Sequence, residues 1–336
     1  MADELDPSLP RWRDPAWRAE VDAWVTDRTT ELGLRRTVDG EQRAYPWSTV
    51  VRIGTDTGPV WFKANGLGMH HEARLYEVLR RRCAGHVLDP LALDVDRGWL
   101  LLPDGGRTLR EVEGASTDLA LWERMLVEYA QLQRSLEPCV RELLDAGVTA
   151  AGPDALPAIR NALLDDRDLL MVGEPDGLTE AELLAAREYA PEYADLCARL
   201  ASFGIAPTLQ HDDLHANNVF APSVPGGPLR VFDWGDAVVG HPFATLLVTL
   251  RVVSDLAGLQ PRATELLRLR DAYLEAWTGD HDWDDLVEAA RLAVRVDGVS
   301  RADCYRRATM EWAGHRPPFG EGVPAWLKEQ RGPMPL

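Results

Sequence analysis

The stretch Leu209-Gln210-His211-Asp212-Asp213-Leu214-His215-Ala216-Asn217-Asn218-Val219-Phe220, followed by Val231-Phe232-Asp233-Trp234-Gly235, decides how the chain reads. It places a carboxylate at Asp213, an amide five residues on at Asn218 and, past a Pro/Gly-rich turn, a second carboxylate at Asp233 between apolar residues. That order suits phosphoryl transfer. A polyphosphate carries several negative charges, so a hard cation such as Mg2+ must sit on it, and such cations take carboxylate and amide oxygens as ligands. Asn218 and Asp233 supply that chemistry. Asp213 supplies the carboxylate that aims an acceptor hydroxyl and receives its proton. Each residue alone reads as part of a solvated turn; the three in order do not. Asparagine occurs only at 65, 161, 217 and 218, so its presence at this offset is unlike compositional noise.

The protein-kinase catalytic loop H-R-D-L-x-x-x-N followed by D-F-G has the same order and the same Asp-to-Asn spacing. More closely, the stretch resembles the aminoglycoside phosphotransferase family of small-molecule kinases, whose usual loop is H-G-D-x-x-x-x-N and whose metal aspartate sits in an I-D-W-like segment. Asp212 stands where the family usually has glycine, and Gly240-His241-Pro242 stands where many members have Gly-Asp-Pro. The first change alters the turn and the second removes an acid just after the metal site. Neither touches Asp213, Asn218 or Asp233. The resemblance covers residues 40–255 by motif.

The resemblance implies an α+β, two-lobed protein-kinase-like fold. Residues 1–103 would form a small β-rich nucleotide-binding lobe with an N-terminal helix, and residues 104–336 a larger, mostly helical lobe for catalysis and substrate binding. It further implies ATP or GTP as donor, Mg2+ as cofactor, and a small-molecule hydroxyl as acceptor, in a monomer or homodimer. An aminoglycoside-like or other cationic antibiotic is the eponymous acceptor; a metabolite kinase acting on a sugar or amino alcohol is the alternative. The phosphate-covering loop falls at Tyr45 to Thr49, including Ser48 and Thr49, and the adenine at the strand end Leu102 to Asp104.

Lys63 is the second signal. The chain has two lysines, Lys63 and Lys328, against 34 arginines, so a lysine at the end of the apolar strand Val60-Trp61-Phe62-Lys63 is no ordinary surface cation. A compact ammonium fits between phosphates where a guanidinium fork does not. Glu72, nine residues on and opening a helical pattern, is the expected ion-pair partner, with Glu77 as competitor. His70 and His71 read as capping or surface residues.

Composition narrows the rest. Net charge is −18, of which −1 falls in residues 1–110 and −17 beyond, arguing against nucleic acid or an anionic membrane as partner. No apolar run approaches the ~20 residues of a membrane span. The acidic start Met1-Ala2-Asp3-Glu4 is unlike a signal peptide, so a cytoplasmic location is expected. Cysteines 83, 139, 197 and 304 are too scattered for a zinc or disulfide framework.

Along the chain, Asp14-Pro15 reads as cap and first residue of a helix ending at Gly33, and residues 47–63 as a β-hairpin. A strand over 98–102 ends in Pro103-Asp104-Gly105-Gly106, suited to an interlobe hinge. Helical periodicity follows at 118–136, 154–170, 179–203, 243–257, 262–277 and 282–296, interrupted by short strands around Val219 and Val231. The Pro-rich tail from Arg316 is expected to drape over the surface. Asp212 and Asp236 flank the catalytic pair and are candidate contacts for a cationic acceptor, as is the acidic segment Asp280 to Asp285. A nucleotide-binding module without turnover and a two-carboxylate metal hydrolase are the rival classes. The intact set Lys63, Asp213, Asn218 and Asp233 speaks against the first, and the second needs neither Lys63 nor a hinge.

Overall fold

The computed structural model describes residues 8–313 and 317–336. Met1 to Glu4 and Arg316, on which two of the expectations above rest, lie outside the described residues. The first half of the fold is an antiparallel sheet in the order β1-β2-β3-β5-β4, formed by Gln42–Ala44, Ser48–Ile53, Val60–Asn65, Ala92–Asp94 and Trp99–Pro103 (β1 to β5 in chain order). Pleating decides its two faces, since alternate side chains point opposite ways. Phe62 packs against Trp99 and against Trp17 and Trp24 of helix α1 (Pro15–Glu31), with ring centroids 5.7, 6.5 and 6.0 Å away. Lys63, one residue on, faces the other side. Edge-on pairs of this kind add about 0.5–1.5 kcal/mol each to the area they bury. Helix α1 starts as its sequence dictates: Asp14 Oδ1 accepts from the N–H groups of Ala16 and Trp17 at 2.8 and 3.0 Å, and Pro15 needs no partner for a missing N–H. Helix α2 (Glu72–Arg82) turns Ala73, Leu75, Tyr76, Val78 and Leu79 into the main core.

The second half is helical. Its elements are α3 (Leu109–Glu113), α4 (Leu119–Leu136), α5 (Val140–Asp145), α6 (Leu156–Asp165), α7 (Glu180–Glu188), α8 (Ala190–Ser202), α9 (Leu246–Ala257), α10 (Thr264–Leu274), α11 (Trp283–Val296), α12 (Gly298–Thr309) and α13 (Gly322–Lys328). Among them lies a small sheet, β6-β10-β7, from Thr149–Ala151, Val238–Gly240 and Thr208–Gln210, and a two-stranded hairpin of β8 (Val219–Phe220) and β9 (Arg230–Val231). The two-lobed, kinase-like α+β architecture implied by the resemblance is the one observed.

Helix α4 shows how the core positions the site. Its apolar stripe carries two polar residues one turn apart, Tyr129 and Gln133, and both are spent on β7. Tyr129 Oη donates to the Leu209 carbonyl at 3.2 Å and accepts from His211 N–H at 2.8 Å; Gln133 Nε2 donates to Leu209 O at 3.0 Å. Buried polar groups are costly unless paired, so this arrangement fixes the strand that feeds the loop over residues 211–218. At the other side of the cleft Gly105 lies so near the Phe220 ring that a β-carbon would come within 2.2 Å of it, which is why the turn after β5 requires glycine here.

Several expectations are corrected. The span 179–203 is two helices, broken where Pro191 enters the first turn of α8. Strands β1, β4, β6, β7 and β10 and helix α12 were not expected. Residues 317–336 do not drape over the surface: α13 buries Val323 and Leu327, and Met334 and Leu336 are also buried. His71 is buried and makes no capping hydrogen bond, and burial, reinforced by Arg307, pushes its pKa down to about 3.

Candidate active site

Between the sheet and the β8–β9 hairpin lies a cleft of about 460 Å³. Val50, Trp61, Leu102 and Pro103 line it from the sheet, and Phe220 and Phe232, stacked with centroids 4.0 Å apart, from the hairpin. Ser48, Lys63, Glu72, Asp104 and Asp233 supply polar groups, with Arg43, Tyr45 and Trp47 near the turn between β1 and β2. Thr49 is absent from the lining. The pleat turns it to the opposite face, where its hydroxyl donates to Arg43 O at 3.2 Å and accepts from Gln42 at 2.8 Å, so it shapes the turn from behind.

Lys63 Nζ stands 2.5 Å from Glu72 Oε2 and 2.5 Å from Asp233 Oδ1. Glu72 is 0% exposed and its oxygens are saturated: Asn65 Nδ2 donates at 2.7 Å and Trp234 N–H at 2.9 Å. Glu77 is exposed on the far side of α2. Burial alone would lower the Lys63 pKa, but Asp233 and then Glu72 outweigh it and hold the ammonium above the ordinary lysine value.

The loop that carries Asp213 is bolted to the hairpin by His211. Its Nε2 lies 2.9 Å from Phe232 O, so this nitrogen carries the proton, while Nδ1 accepts from Asp213 N–H at 3.3 Å. Burial keeps the ring neutral by lowering its pKa. Asn218 N–H donates to His215 O at 2.9 Å and Phe232 N–H to Asn218 O at 3.0 Å, which ties Asn218 to the residue before Asp233. Asn218 Nδ2 donates to Asp213 O and Oδ2 at 2.9 and 3.1 Å, leaving the amide oxygen as its lone-pair donor. The Asp233 side chain is 53% exposed and its backbone is left-handed at φ 64°. A carboxylate lining the cleft, with an amide oxygen on the residue tied to its neighbour Phe232, is the kind of oxygen donor set that would suit a magnesium ion completing its shell with phosphate oxygens and water.

Asp213 is held on both oxygens: His215 Nε2 is 3.3 Å from Oδ2 and Arg301 Nη2 is 3.6 Å from Oδ1. Neither His215 nor Arg301 was assigned a role from sequence. His215 could have been found two residues after Asp213, whereas Arg301 lies 88 residues from Asp213 in an unremarkable polar segment. The two expected acceptor contacts have other partners. Asp212 is 1% exposed and turned away from solvent, accepting from Ser300 Oγ at 3.1 Å, and Asp236 accepts from Arg301 Nη1 at 2.9 Å. Burial would raise the Asp236 pKa, but Arg301 and Arg307 hold it below the usual carboxylate range. Asp280 is paired with Arg134. His241 takes over the capping duty an aspartate would have: its Nδ1 accepts from Phe243 N–H at 3.2 Å, and burial, with His281 adding, pushes its pKa down to about 3.

Residues 41–287 match the phosphotransferase enzyme family, APH. No curated protein matches the chain by sequence. The fold is similar to macrolide 2'-phosphotransferase MphH from Brachybacterium faecium, at TM-score 0.56 and 18% identity over 89% of this chain and 97% of that one. It is similar to choline kinase LicA from Streptococcus pneumoniae, at TM-score 0.56 and 12% identity over 93% and 99%. Amicoumacin kinase hAmiN, solved with AMP-PNP, Ca2+ and Ami, aligns at TM-score 0.52 and 11% identity over 94% and 96%. At such identities these similarities establish the fold.

Proposed function

The chain belongs to the phosphotransferase enzyme family, and we propose from this that it transfers the terminal phosphoryl group of magnesium-bound ATP or GTP to a hydroxyl of a small molecule. The observation that carries the reading is the convergence of Lys63, Glu72 and Asp233 within 2.5 Å contacts at one end of an aromatic-walled cleft. Such a cleft suits a planar base between Trp61 and the Phe220–Phe232 stack, with the backbone from Leu102 to Asp104 at its edge and Ser48 beneath the turn over the phosphates. Lys63 binds phosphate oxygens as a point charge, fixed by Glu72. Asp233 and Asn218 hold the cation, which when bound offsets charge on the transferring phosphoryl group. Asp213 accepts a hydrogen bond from the acceptor hydroxyl and takes its proton as the new O–P bond forms and the bond to the leaving diphosphate breaks.

The proteins of similar fold are named for macrolide, choline and amicoumacin acceptors. With Asp212 and Asp236 both engaged by the protein, a cationic acceptor has no free carboxylate at those two positions. The deciding experiment is a nucleotide-consumption screen over aminoglycosides, macrolides, amino alcohols and sugars with magnesium-ATP and magnesium-GTP. Acceptor-dependent diphosphate release that disappears in Asp213→Ala supports the reading. Hydrolysis that is indifferent to every acceptor yet lost in Asp213→Ala rejects it in favour of a two-carboxylate hydrolase.

A further inference from the structure

Behind the catalytic loop, the start of α12 brings one cation to three carboxylates. Arg301 Nη1 is 2.9 Å from Asp236 Oδ2 and 3.6 Å from Asp212 Oδ2, and Nη2 is 3.6 Å from Asp213 Oδ1. The Arg301 side chain is only 7% exposed and its guanidinium lies 5.7 Å from the Tyr305 ring centroid. So buried a group does not meet nucleotide or acceptor; whatever it contributes passes through a carboxylate it touches.

Asp212 sharpens the point. It occupies the left-handed region at φ 66°, where a residue with a β-carbon is strained by about 1–3 kcal/mol unless its surroundings hold it. What holds it comes from one helical turn: Ser300 Oγ at 3.1 Å and the Arg301 guanidinium. Its side chain therefore serves as an anchor for α12 beside the base. On Asp213 the two oxygens are divided, Oδ2 facing Asn218 and His215 and Oδ1 facing Arg301. A carboxylate gripped from two sides has one rotamer, and a base must be held within about 0.5 Å of its productive position.

We propose that Arg301 is a positioning residue for phosphoryl transfer, which fixes the Asp213 carboxylate from the rear while Asp212 and Asp236 fix Arg301. The proposal rests on the reading of Asp213 as base. Only a fork reaches three carboxylates at once, so lysine is an incomplete substitute.

The test compares Arg301→Met, which keeps length and packing but no charge, with Arg301→Lys, on magnesium-ATP with the best acceptor from the screen and with water as acceptor. Arg301→Met should lower kcat by about 10–100-fold, less than the ~10²–10⁴-fold typical of losing a general base outright. MgADP affinity, measured directly by calorimetry, should stay within about twofold, and Arg301→Lys should recover part of the loss. In an Asp213→Asn background Arg301→Met should cost no more than about twofold, because residues that act as a unit are not additive. A full additive loss there, or nucleotide affinity falling in step with kcat, marks a merely structural arginine and overturns the proposal. Asp213→Asn that keeps activity within about tenfold of the parent instead removes the base reading itself. Should Arg301→Met not fold, Asp212→Gly leaves the arginine and removes one anchor. It should lower kcat by roughly 3–10-fold, again cancelling in Asp213→Asn, and an unchanged kcat overturns the proposal.

Discussion

Lys63 and Arg301 are two buried cations, each wedged among carboxylates, and they sit on opposite sides of the site. Lys63 bridges two acids with 2.5 Å contacts and opens onto the cleft, whereas Arg301 spans three acids, with contacts of 2.9, 3.6 and 3.6 Å, and is sealed behind the loop. The difference is one of task. A compact ammonium with strong local partners can release part of its charge to an incoming phosphate, while a fork without access can only hold other groups still. The small lobe presents charge to the ligand and the large lobe spends charge on its own geometry.

The largest expected effect breaks the pairing at the residue the large-lobe cation serves. Asp213→Ala should lower turnover by about 10²–10⁴-fold while magnesium-nucleotide affinity stays within about threefold, because the Lys63 side is untouched. Steady-state kinetics with direct nucleotide titration check it. Parallel loss of both would mean that Asp213 belongs to the nucleotide side, and the contrast between the two cations would dissolve.

Next in size, Lys63→Arg should lower kcat/KM nearly as far as Lys63→Ala, by about 10²-fold or more, because the slot between Glu72 and Asp233 is sized for an ammonium. Removing the cation altogether also leaves Glu72 buried beside an uncompensated carboxylate, a change typically worth about 3–5 kcal/mol of stability. A fully active arginine variant would show that the two cations are interchangeable after all.

The metal side comes third. Asp233→Asn removes a charge from the cation site and Asn218→Ala a neutral oxygen, so excess magnesium should restore the second variant far more than the first. Titrating activity against magnesium distinguishes them, and the opposite pattern would mean the ligand roles are exchanged.

The two cations also differ in how far the sequence betrayed them. Lys63 was legible because it is one of two lysines and ends an apolar strand, and its partner Glu72 opens the next helix. The catalytic loop, the β2–β3 hairpin, α1 with its Asp14-Pro15 start and α4 were legible for the same reason: each is set by local order and period. Arg301 was not: it is one of 34 arginines, and its helix buries Ser300, Arg301, Asp303 and Arg307 side by side with Val299, Ala302, Cys304 and Ala308. Where charged residues are buried among small apolar ones the stripe is broken, and periodicity passes over it. Strands β1, β4, β6, β7 and β10 were missed because three residues of pairing leave no pattern, and α13 because prolines around 317 and 324 outweighed Val323 and Leu327, whose burial depends on α12. Asp212 and Asp236 looked like free acids only because their partner lies more than sixty residues away.

The smallest expected effect is on stability and concerns the acid that shares the large-lobe network. Asp297 joins α11 to α12, and its Oδ2 and the Oδ1 of Asp212 are buried without a hydrogen-bond donor among the described residues. Two carboxyls facing one another in a dry site hold one proton between them. Burial raises the pKa of both carboxyls: Asp212 only to about 6, because Arg301 and Ser300 oppose it, and Asp297 well above the usual carboxylate value, where the charge of Asp212 adds to burial, so the proton belongs on Asp297. An unfolded aspartate loses its proton near pH 3.9. Between there and the folded pKa the folded state binds one proton more than the unfolded, so the sign of linkage is negative and stability falls as pH rises. Asn at this position keeps an N–H donor towards Asp212 and has no proton to lose. Asp297→Asn should therefore gain on the parent by up to about 1.4 kcal/mol per pH unit across that window, as read from urea unfolding at pH 5, 6 and 7. A stability difference independent of pH would place the proton elsewhere, leaving Asp297 an ionised partner of Arg301 and adding a fourth carboxylate to the set that cation has to balance.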